Sequence, residues 1–157
     1  MQFYIQQERG NLYWVVDASD LLVFAREPST LFQYTATKRI KVVGQSGKCL
    51  RFDENENEAK VMLSGPCNDD FSEWIIQENV LKNPSTQKCI HPLKRDYREG
   101  NQLVIHWGCG PNGLSIAIIS KCKVTSILLL RHLQIFESKS EDSLLILHSS
   151  FVRTSKI

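Results

Sequence analysis

Cysteine and histidine residues occur at two spacings that could hold a metal ion. One segment reads Cys89-x-His91 and another reads His106-x-x-Cys109. Two thiolates and two imidazoles are a common ligand set for zinc. The same cysteines could instead form disulfides. The chain has an odd number of them, at positions 49, 67, 89, 109 and 122.

Other candidate chemistry is weak. The sequence contains no Gly-x-Ser-x-Gly, no His-Glu-x-x-His and no phosphate-binding glycine loop. Residues 53–58 are rich in carboxylates, but they lack the glycine and the spacing of an EF-hand calcium loop. We therefore predict a solvated acidic loop, no cofactor and no enzymatic activity.

The context of the cysteines repeats after 40 residues. Gly47-Lys48-Cys49-Leu50 matches Gln87-Lys88-Cys89-Ile90, and an aromatic residue, Tyr34 or Trp74, precedes each cysteine by 15 positions. A second cysteine follows each, Cys67 after 18 residues and Cys109 after 20. Arg51 stands where His91 stands in the later unit. The repeat thus explains the cysteines without a metal, and we predict no metal site.

The repeat extends to an earlier unit that has no cysteine. Counting back 40 residues from Val61 and Leu63 leads to Leu21 and Val23, which gives three units over residues 1–120. Short alternating apolar runs, separated by Gly, Asn, Pro and Ser, predict strands. Three units are too few for a propeller, which needs roughly four or more blades. We predict an all-β protein, a β-trefoil of three repeats of roughly 40 residues, with an additional C-terminal segment.

The matched aromatic positions are expected in the core of this fold. Tyr34 and Trp74 would pack inside the barrel, and Ile116 would take the place of Trp74 in the third unit. Ile116 follows Cys109 by seven residues, just as Trp74 follows Cys67.

Composition excludes some functions. The net charge is only +2, which gives no electrostatic argument for nucleic-acid binding. No apolar run approaches the roughly 18–20 residues needed to span a bilayer. We predict neither a nucleic-acid partner nor a membrane span.

These motifs resemble the ricin B-type β-trefoil lectin domain. The resemblance covers residues 1–120 and rests on three segments and on the spacing of the cysteines. The segments are Gly47 with Lys48, Cys49 and Leu50; Gln87 with Lys88, Cys89 and Ile90; and Ser72-Glu73-Trp74, a degenerate Gln-x-Trp motif. The resemblance implies a non-catalytic carbohydrate-binding module, for which a galactose-type glycan is the expected partner.

The resemblance also implies disulfides between Cys49 and Cys67 and between Cys89 and Cys109. Disulfides belong to oxidising compartments. The first residues lack the pattern of a secretory signal. We therefore expect an extracellular or secreted protein whose signal peptide is not present in this chain, with this chain being part of a larger protein.

A sugar site is expected in the third unit. Ricin-type repeats use an Asp two residues after the first cysteine and an aromatic residue before the second. Trp107 is the expected stacking ring, and His91, Asp96 and Asn101 are the expected hydrogen-bonding residues. Arg51 replaces the Asp in the second unit, and Trp14 and Phe24 lie near the two positions in the first unit.

Alternatives remain open at this point. Arg51, Lys48 and Lys88 could meet an acidic glycan or a sulfate, although isolated surface cations rarely bind anything specific. The module could be a protein-interaction or structural trefoil that has lost sugar binding. It could also be a lectin module appended to an enzyme.

The C-terminal segment, 121–157, does not continue the repeat. It carries six Lys or Arg and three Asp or Glu, and it contains Cys122 but no Gly and no Pro. We place a domain boundary after residue 120. The tail either packs on the barrel, is poorly ordered, or does not belong to the natural protein.

Overall fold

The computed structural model describes residues 1–110 and 114–121. Within them lie four strands for each of the three units and two short 3₁₀ helices. The first unit contains β1 (Gln2–Gln7), β2 (Leu12–Val16), β3 (Leu22–Ala25) and β4 (Phe32–Tyr34). The second contains β5 (Ile40–Val42), β6 (Cys49–Arg51), β7 (Met62–Ser64), the helix η1 (Asp70–Ser72) and β8 (Ile75–Gln77). The third contains β9 (Val80–Lys82), β10 (Cys89–Pro92), the helix η2 (Leu93–Arg95), β11 (Leu103–His106) and β12 (Ile116–Ser120).

The chain divides into a compact unit, Met1–Lys121, and the remainder. The predicted tail, 121–157, lies outside the described residues except for Lys121, and so does Cys122. None of the described helices is long and apolar enough to cross a membrane.

The first and fourth strands of the units form an antiparallel barrel. β12, β1, β4 and β5 pair in that order, and β8 pairs with β9. Two backbone hydrogen bonds join the remaining neighbours. The Trp74 N–H donates to the Lys38 carbonyl at 2.9 Å, and the Ile116 N–H donates to the Asn79 carbonyl at 2.9 Å. These contacts close the barrel, and they leave no long unpaired edge among its described strands.

The second and third strands of each unit form a hairpin, and the three hairpins meet. Isolated bridges between Leu21 and Met62, Val23 and Gln102, and Lys60 and Val104 link them in a ring. The neighbours of these bridges at the centre are fully buried, namely Leu22, Val61 and Leu103. One unit could not bury this apolar surface alone, so the three must fold together.

The aromatic core differs from the expectation at one position. Trp74 is fully buried, as predicted, and its indole N–H donates to the Leu50 carbonyl at 2.8 Å. Tyr34 is only half-buried, and its hydroxyl donates to the Trp74 carbonyl at 2.7 Å. Phe32, two residues earlier, is fully buried and takes this core position in the first unit. Ile116 is buried in the third unit, as predicted.

The repeat register of the first unit is also one residue from the prediction. Leu22 and Phe24, not Leu21 and Val23, face the core beside Val61 and Leu63. Successive side chains of a strand point to opposite faces, so a shift of one residue exchanges core and outer positions. The prediction used a fixed period of 40 residues. Because the loops differ slightly in length between units, this period gave the wrong register for β3.

Candidate functional site

The three hairpins have equivalent outer faces that carry different side chains. Their core faces carry the opposed pairs Trp14–Phe24, Leu50–Leu63 and Ile90–Ile105. The next residue of each first strand therefore points to the outer face. These residues are Val15, Arg51 and His91, opposed by Val23, Met62 and Val104. The chemistry of each unit depends on this position.

The outer face of the first unit is apolar. Val15 and Val23 are both buried there. Trp14 and Phe24, which the sequence placed near the sugar-binding positions, are each 1% exposed and belong to the core. This pair of valines offers no side-chain hydrogen bond to a ligand.

The outer face of the second unit is occupied by its own arginine. The Arg51 guanidinium donates to Asp53 Oδ1 at 2.7 Å, to Asp69 Oδ2 at 2.6 Å and to the Gly65 carbonyl at 3.3 Å. Only 12% of this side chain is exposed. Because its charge is already compensated by two carboxylates, Arg51 is not available for an acidic glycan.

The outer face of the third unit carries a buried imidazole. His91 is 5% exposed, and its Nε2 has no hydrogen-bond partner among the described residues. The ring hydrogen-bonds the backbone of Gly108, so the other ring nitrogen serves that contact. Gly108 has a φ of +86°, a left-handed conformation that glycine adopts without a steric penalty.

Burial keeps His91 neutral. Burial, together with the smaller effects of the nearby His106 and Arg95, lowers the pKa of His91 to about 4. The centres of the two imidazole rings lie 5.2 Å apart. A neutral imidazole whose N–H is already used presents its second nitrogen as a hydrogen-bond acceptor.

His91 lines an open pocket with a volume of about 240 Å³. We call it the third-unit pocket. Its lining residues are Glu58, His91, Pro92, Lys94, Arg95, Val104 and His106. This volume lies below the roughly 300–1,000 Å³ of pockets for drug-sized ligands. The pocket therefore suits one small group, such as a single sugar ring.

Trp107 lies beside His106 but does not line the third-unit pocket. It follows β11, is 53% exposed, and has the ammonium of Lys88 4.9 Å from its ring centre. His106 is directly opposed to Cys89 and so shares the outer face with His91. The aromatic ring beside His91 on the outer face is therefore that of His106 and not that of Trp107. His106 was not among the sugar-binding residues expected from the sequence. Strict alternation along β11 from the buried Ile105 would have indicated it.

The structure places Asp96 and Asn101 in the loop between β10 and β11, outside the pocket lining. The Asn101 amide donates to the Leu93 carbonyl at 3.0 Å and to the Asp96 carbonyl at 2.6 Å. The Asp96 carboxylate pairs with Arg98, whose hydrogen bonds lower the pKa of Asp96. Both side chains hold the loop that contains Lys94 and Arg95.

The loop of residues 53–58 reaches the same pocket from the second unit. The Glu58 N–H donates to the Ile105 carbonyl at 2.8 Å, and the Glu58 side chain lines the pocket. The other two cations considered from sequence are engaged as well. Lys48 pairs with Asp20 at 2.7 Å, and Lys88 donates to the Asn55 carbonyl at 2.7 Å.

The cysteines form the two pairs that the resemblance implies. Cys49 is bonded to Cys67 and Cys89 to Cys109, with Cα–Cα distances of 5.8 and 5.5 Å. Their sulfurs are therefore not thiolate ligands. Among residues 1–110 and 114–121, no group of three or more His, Cys, Asp or Glu could hold a metal ion.

Sequence comparison finds no relative, whereas structural comparison finds proteins of the same fold. No protein-family model and no curated protein matches the chain. The designed three-fold symmetric protein ThreeFoil matches with a TM-score of 0.62 at 11% identity, over 76% of this chain and 98% of that one. The C-half of the earthworm R-type lectin, solved in complex with GalNAc, matches with a TM-score of 0.61 at 14% identity, over 76% and 98%.

The chain has the ricin B-type β-trefoil fold. The agglutinin from Abrus precatorius gives a TM-score of 0.63 at 15% identity, over 77% of this chain. The match spans about half of that longer agglutinin chain, 49%. The β-trefoil predicted from the cysteine repeat is thereby confirmed, and so is the resemblance to ricin B-type domains at the level of fold.

Proposed function

We propose that this β-trefoil is a non-catalytic carbohydrate-binding module that binds a sugar in the third-unit pocket. The observation that carries the proposal is His91. Its imidazole lines an open pocket at the position where ricin-type repeats place an aspartate, and its buried Nε2 has no described hydrogen-bond partner. A sugar hydroxyl would supply the missing hydrogen bond. The earthworm lectin of the same fold, solved with GalNAc, supports a galactose-type ligand.

Two rings are candidates for contact with the apolar face of the sugar. His106 lies on the outer face next to His91, and Trp107 is the exposed aromatic beside it. Asp96 and Asn101 would act by holding the loop. Asn101 bonds the loop backbone, and Asp96 bonds the side chain of Arg98. The two disulfides support an extracellular setting, and we propose that the trefoil serves as one module of a larger secreted protein.

Calorimetric titration with galactose, GalNAc and lactose tests the proposal. We expect millimolar or tighter binding, and loss of at least tenfold in affinity in His91→Leu, which keeps the volume but removes the acceptor. Ser64→Ala is the matched control. Ser64 is the second unit's equivalent of His106, and its buried hydroxyl has no described partner. His106→Ala and Trp107→Ala show which ring contacts the sugar.

Three results would contradict the proposal. These are no glycan bound at millimolar concentration, full affinity in His91→Leu, or equal loss in Ser64→Ala. Far-UV circular dichroism and thermal melts at pH 7 show whether each variant is folded before its affinity is interpreted. If folded protein binds no glycan, the protein-interaction role becomes the remaining interpretation.

A further inference from the structure

The third-unit pocket carries two cations whose charge no described carboxylate pairs. Lys94 and Arg95 both line the pocket, and neither forms a salt bridge with another residue of the described ranges. Other basic side chains of the trefoil do form such pairs. They include Arg26 with Glu99, Lys38 and Arg39 with Glu73, Lys48 with Asp20, and Arg51 with Asp53 and Asp69.

The backbone holds these two cations at the pocket. Lys94 and Arg95 have φ values of +54° and +56°, which places them in a tight left-handed turn directly after β10. The Asn101 amide fixes the turn through the carbonyls of Leu93 and Asp96. Both residues are exposed, and the loop that carries them is held by these hydrogen bonds.

The pocket contains one opposing carboxylate, that of Glu58. His91 and His106 add no negative charge, so the lining has an excess of positive charge. The second unit shows the contrast, because Asp53 and Asp69 neutralise Arg51 on its equivalent face. The excess in the third unit is a property of that unit alone among the three faces.

The buried acceptor and the cations require different parts of a ligand. His91 Nε2 needs a hydrogen donor such as a hydroxyl, and no described residue supplies one. Lys94 and Arg95 offer donors and positive charge to an anionic group. A bare anion would leave His91 unsatisfied, and a neutral sugar would leave the cations unpaired.

We propose that the third-unit pocket selects an acidic saccharide, with a hydroxyl bound by His91 and a carboxylate or sulfate ester bound by Lys94 and Arg95. This inference rests on the proposed function and adds the class of sugar. Carboxylates and sulfate esters share the chemistry that the two cations recognise.

Calorimetric titration with lactose, 6′-sialyllactose, 6-sulfated lactose and sodium sulfate separates the possibilities. At low salt we expect the acidic lactoses to bind about tenfold more tightly than lactose. Two partly exposed ion pairs can supply a difference in binding free energy of this size. Because such pairs are screened, the preference should shrink at 0.3 M NaCl. Comparison of the sialylated and sulfated ligands identifies the anion.

Two charge-matched double variants test the residues. Lys94→Gln/Arg95→Gln should abolish the preference, so that the ratio of the affinities for acidic and neutral lactose falls to about one. Lys38→Gln/Lys41→Gln removes the same charge from the hairpin of β4 and β5 and should keep the preference. Lys38 has a left-handed φ of +59°, so the control variant shares one such backbone position with the test variant. Glu58→Gln should strengthen binding of the acidic lactoses two- to threefold.

Each outcome has a distinct meaning. Equal binding of neutral and acidic lactose, or an unchanged preference in Lys94→Gln/Arg95→Gln, overturns this inference and leaves the proposed function intact. Binding of none of the sugars overturns both. Binding of free sulfate as tight as that of sulfated lactose shows an anion site without sugar selectivity, which also overturns the inference.

Discussion

His91 shows how one buried side chain ties stability to pH. Its folded-state pKa of about 4 lies below the ordinary value of 6.5, chiefly because burial penalises the charged ring. The unfolded chain therefore takes up a proton between pH 6.5 and 4 that the folded chain does not. The stability contributed by this group is complete above pH 6.5 and decreases as the pH falls through that window.

We expect His91→Gln to remove this pH dependence. At roughly 1.4 kcal/mol per pKa unit, wild type should lose about 3 kcal/mol more unfolding free energy than the variant between pH 6.5 and 4. Urea unfolding followed by tryptophan fluorescence across that range measures the difference. Glu58, Lys94 and Arg95 also face the pocket, but they remain in both proteins, so their contributions largely cancel.

His106→Gln is a graded control for the same measurement. It removes the second-largest cause of the shift and keeps the burial of His91, so the pH dependence should weaken without vanishing. Parallel stability curves for wild type and His91→Gln would show that His91 titrates normally in the folded protein.

Tyr34 and Tyr13 form a matched pair for a second residue-level prediction. The Tyr34 hydroxyl donates to the Trp74 carbonyl at 2.7 Å, whereas the Tyr13 hydroxyl makes no hydrogen bond to a described residue. Tyr34→Phe should cost about 1 kcal/mol, the usual net value of one hydrogen bond. Tyr13→Phe should be nearly neutral by urea denaturation. Equal effects of the two changes would contradict the assigned role of Tyr34.

At the scale of single residues, the sequence predicts the lining of the candidate pocket only in part. The cysteine spacing led to His91, which does line the pocket, and to Trp107, which does not. His106 takes the outer-face position because two residues, Trp107 and Gly108, separate β11 from Cys109. Counting from a cysteine does not reliably give the orientation of strand residues when a loop separates the cysteine from the strand. One extra loop residue moves the residue at a given count to the other face of the strand.

At the scale of elements, a lysine before the first cysteine links the second unit to the first and the third unit to the second. Lys48 reaches Asp20 of the first unit, and Lys88 reaches the Asn55 carbonyl of the second. The sequence repeat contains this lysine twice, but its role was not predictable. The partner in each case lies in an irregular loop whose path no repeat pattern fixes.

The two lysines should differ in their contribution to stability. Lys88 is 2% exposed. Lys88→Met should therefore lower the free energy of unfolding by about 1–3 kcal/mol, because it leaves the Asn55 carbonyl without its charged donor. The Lys48 and Asp20 side chains are 40% and 45% exposed, so Lys48→Met should cost less than about 0.5 kcal/mol.

Urea denaturation at pH 7 measures both variants. The same experiment in 0.5 M NaCl should leave the cost of Lys88→Met almost unchanged, because a buried contact is poorly screened. A cost for Lys48→Met that equals or exceeds that of Lys88→Met would show that burial does not set the difference.

At the scale of the whole molecule, the repeat predicted the architecture well. Three units with matching apolar runs, two of them with matching cysteines, can share one core by closing around an axis, and the structure contains that closure. The tail gave no comparable signal. Residues 121–157 have neither the period nor the glycine and proline turns of the trefoil. Their structure could therefore not be predicted from the repeat.

The closing strand decides where the folding unit ends. β12 pairs with β1 over five residues, from Phe3 with Ser120 to Gln7 with Ile116, and so joins the last unit to the first. A chain that ends after Lys121 keeps all of the described strands, whereas one that ends after Ser115 loses β12 and opens the barrel. We expect the first to unfold in one cooperative transition, with a midpoint close to that of the full chain, and the second to show none. Thermal unfolding followed by circular dichroism compares the three. Loss of the transition in the chain that ends after Lys121 would move the domain boundary into the tail, because residues beyond 121 would then be needed to hold the trefoil closed.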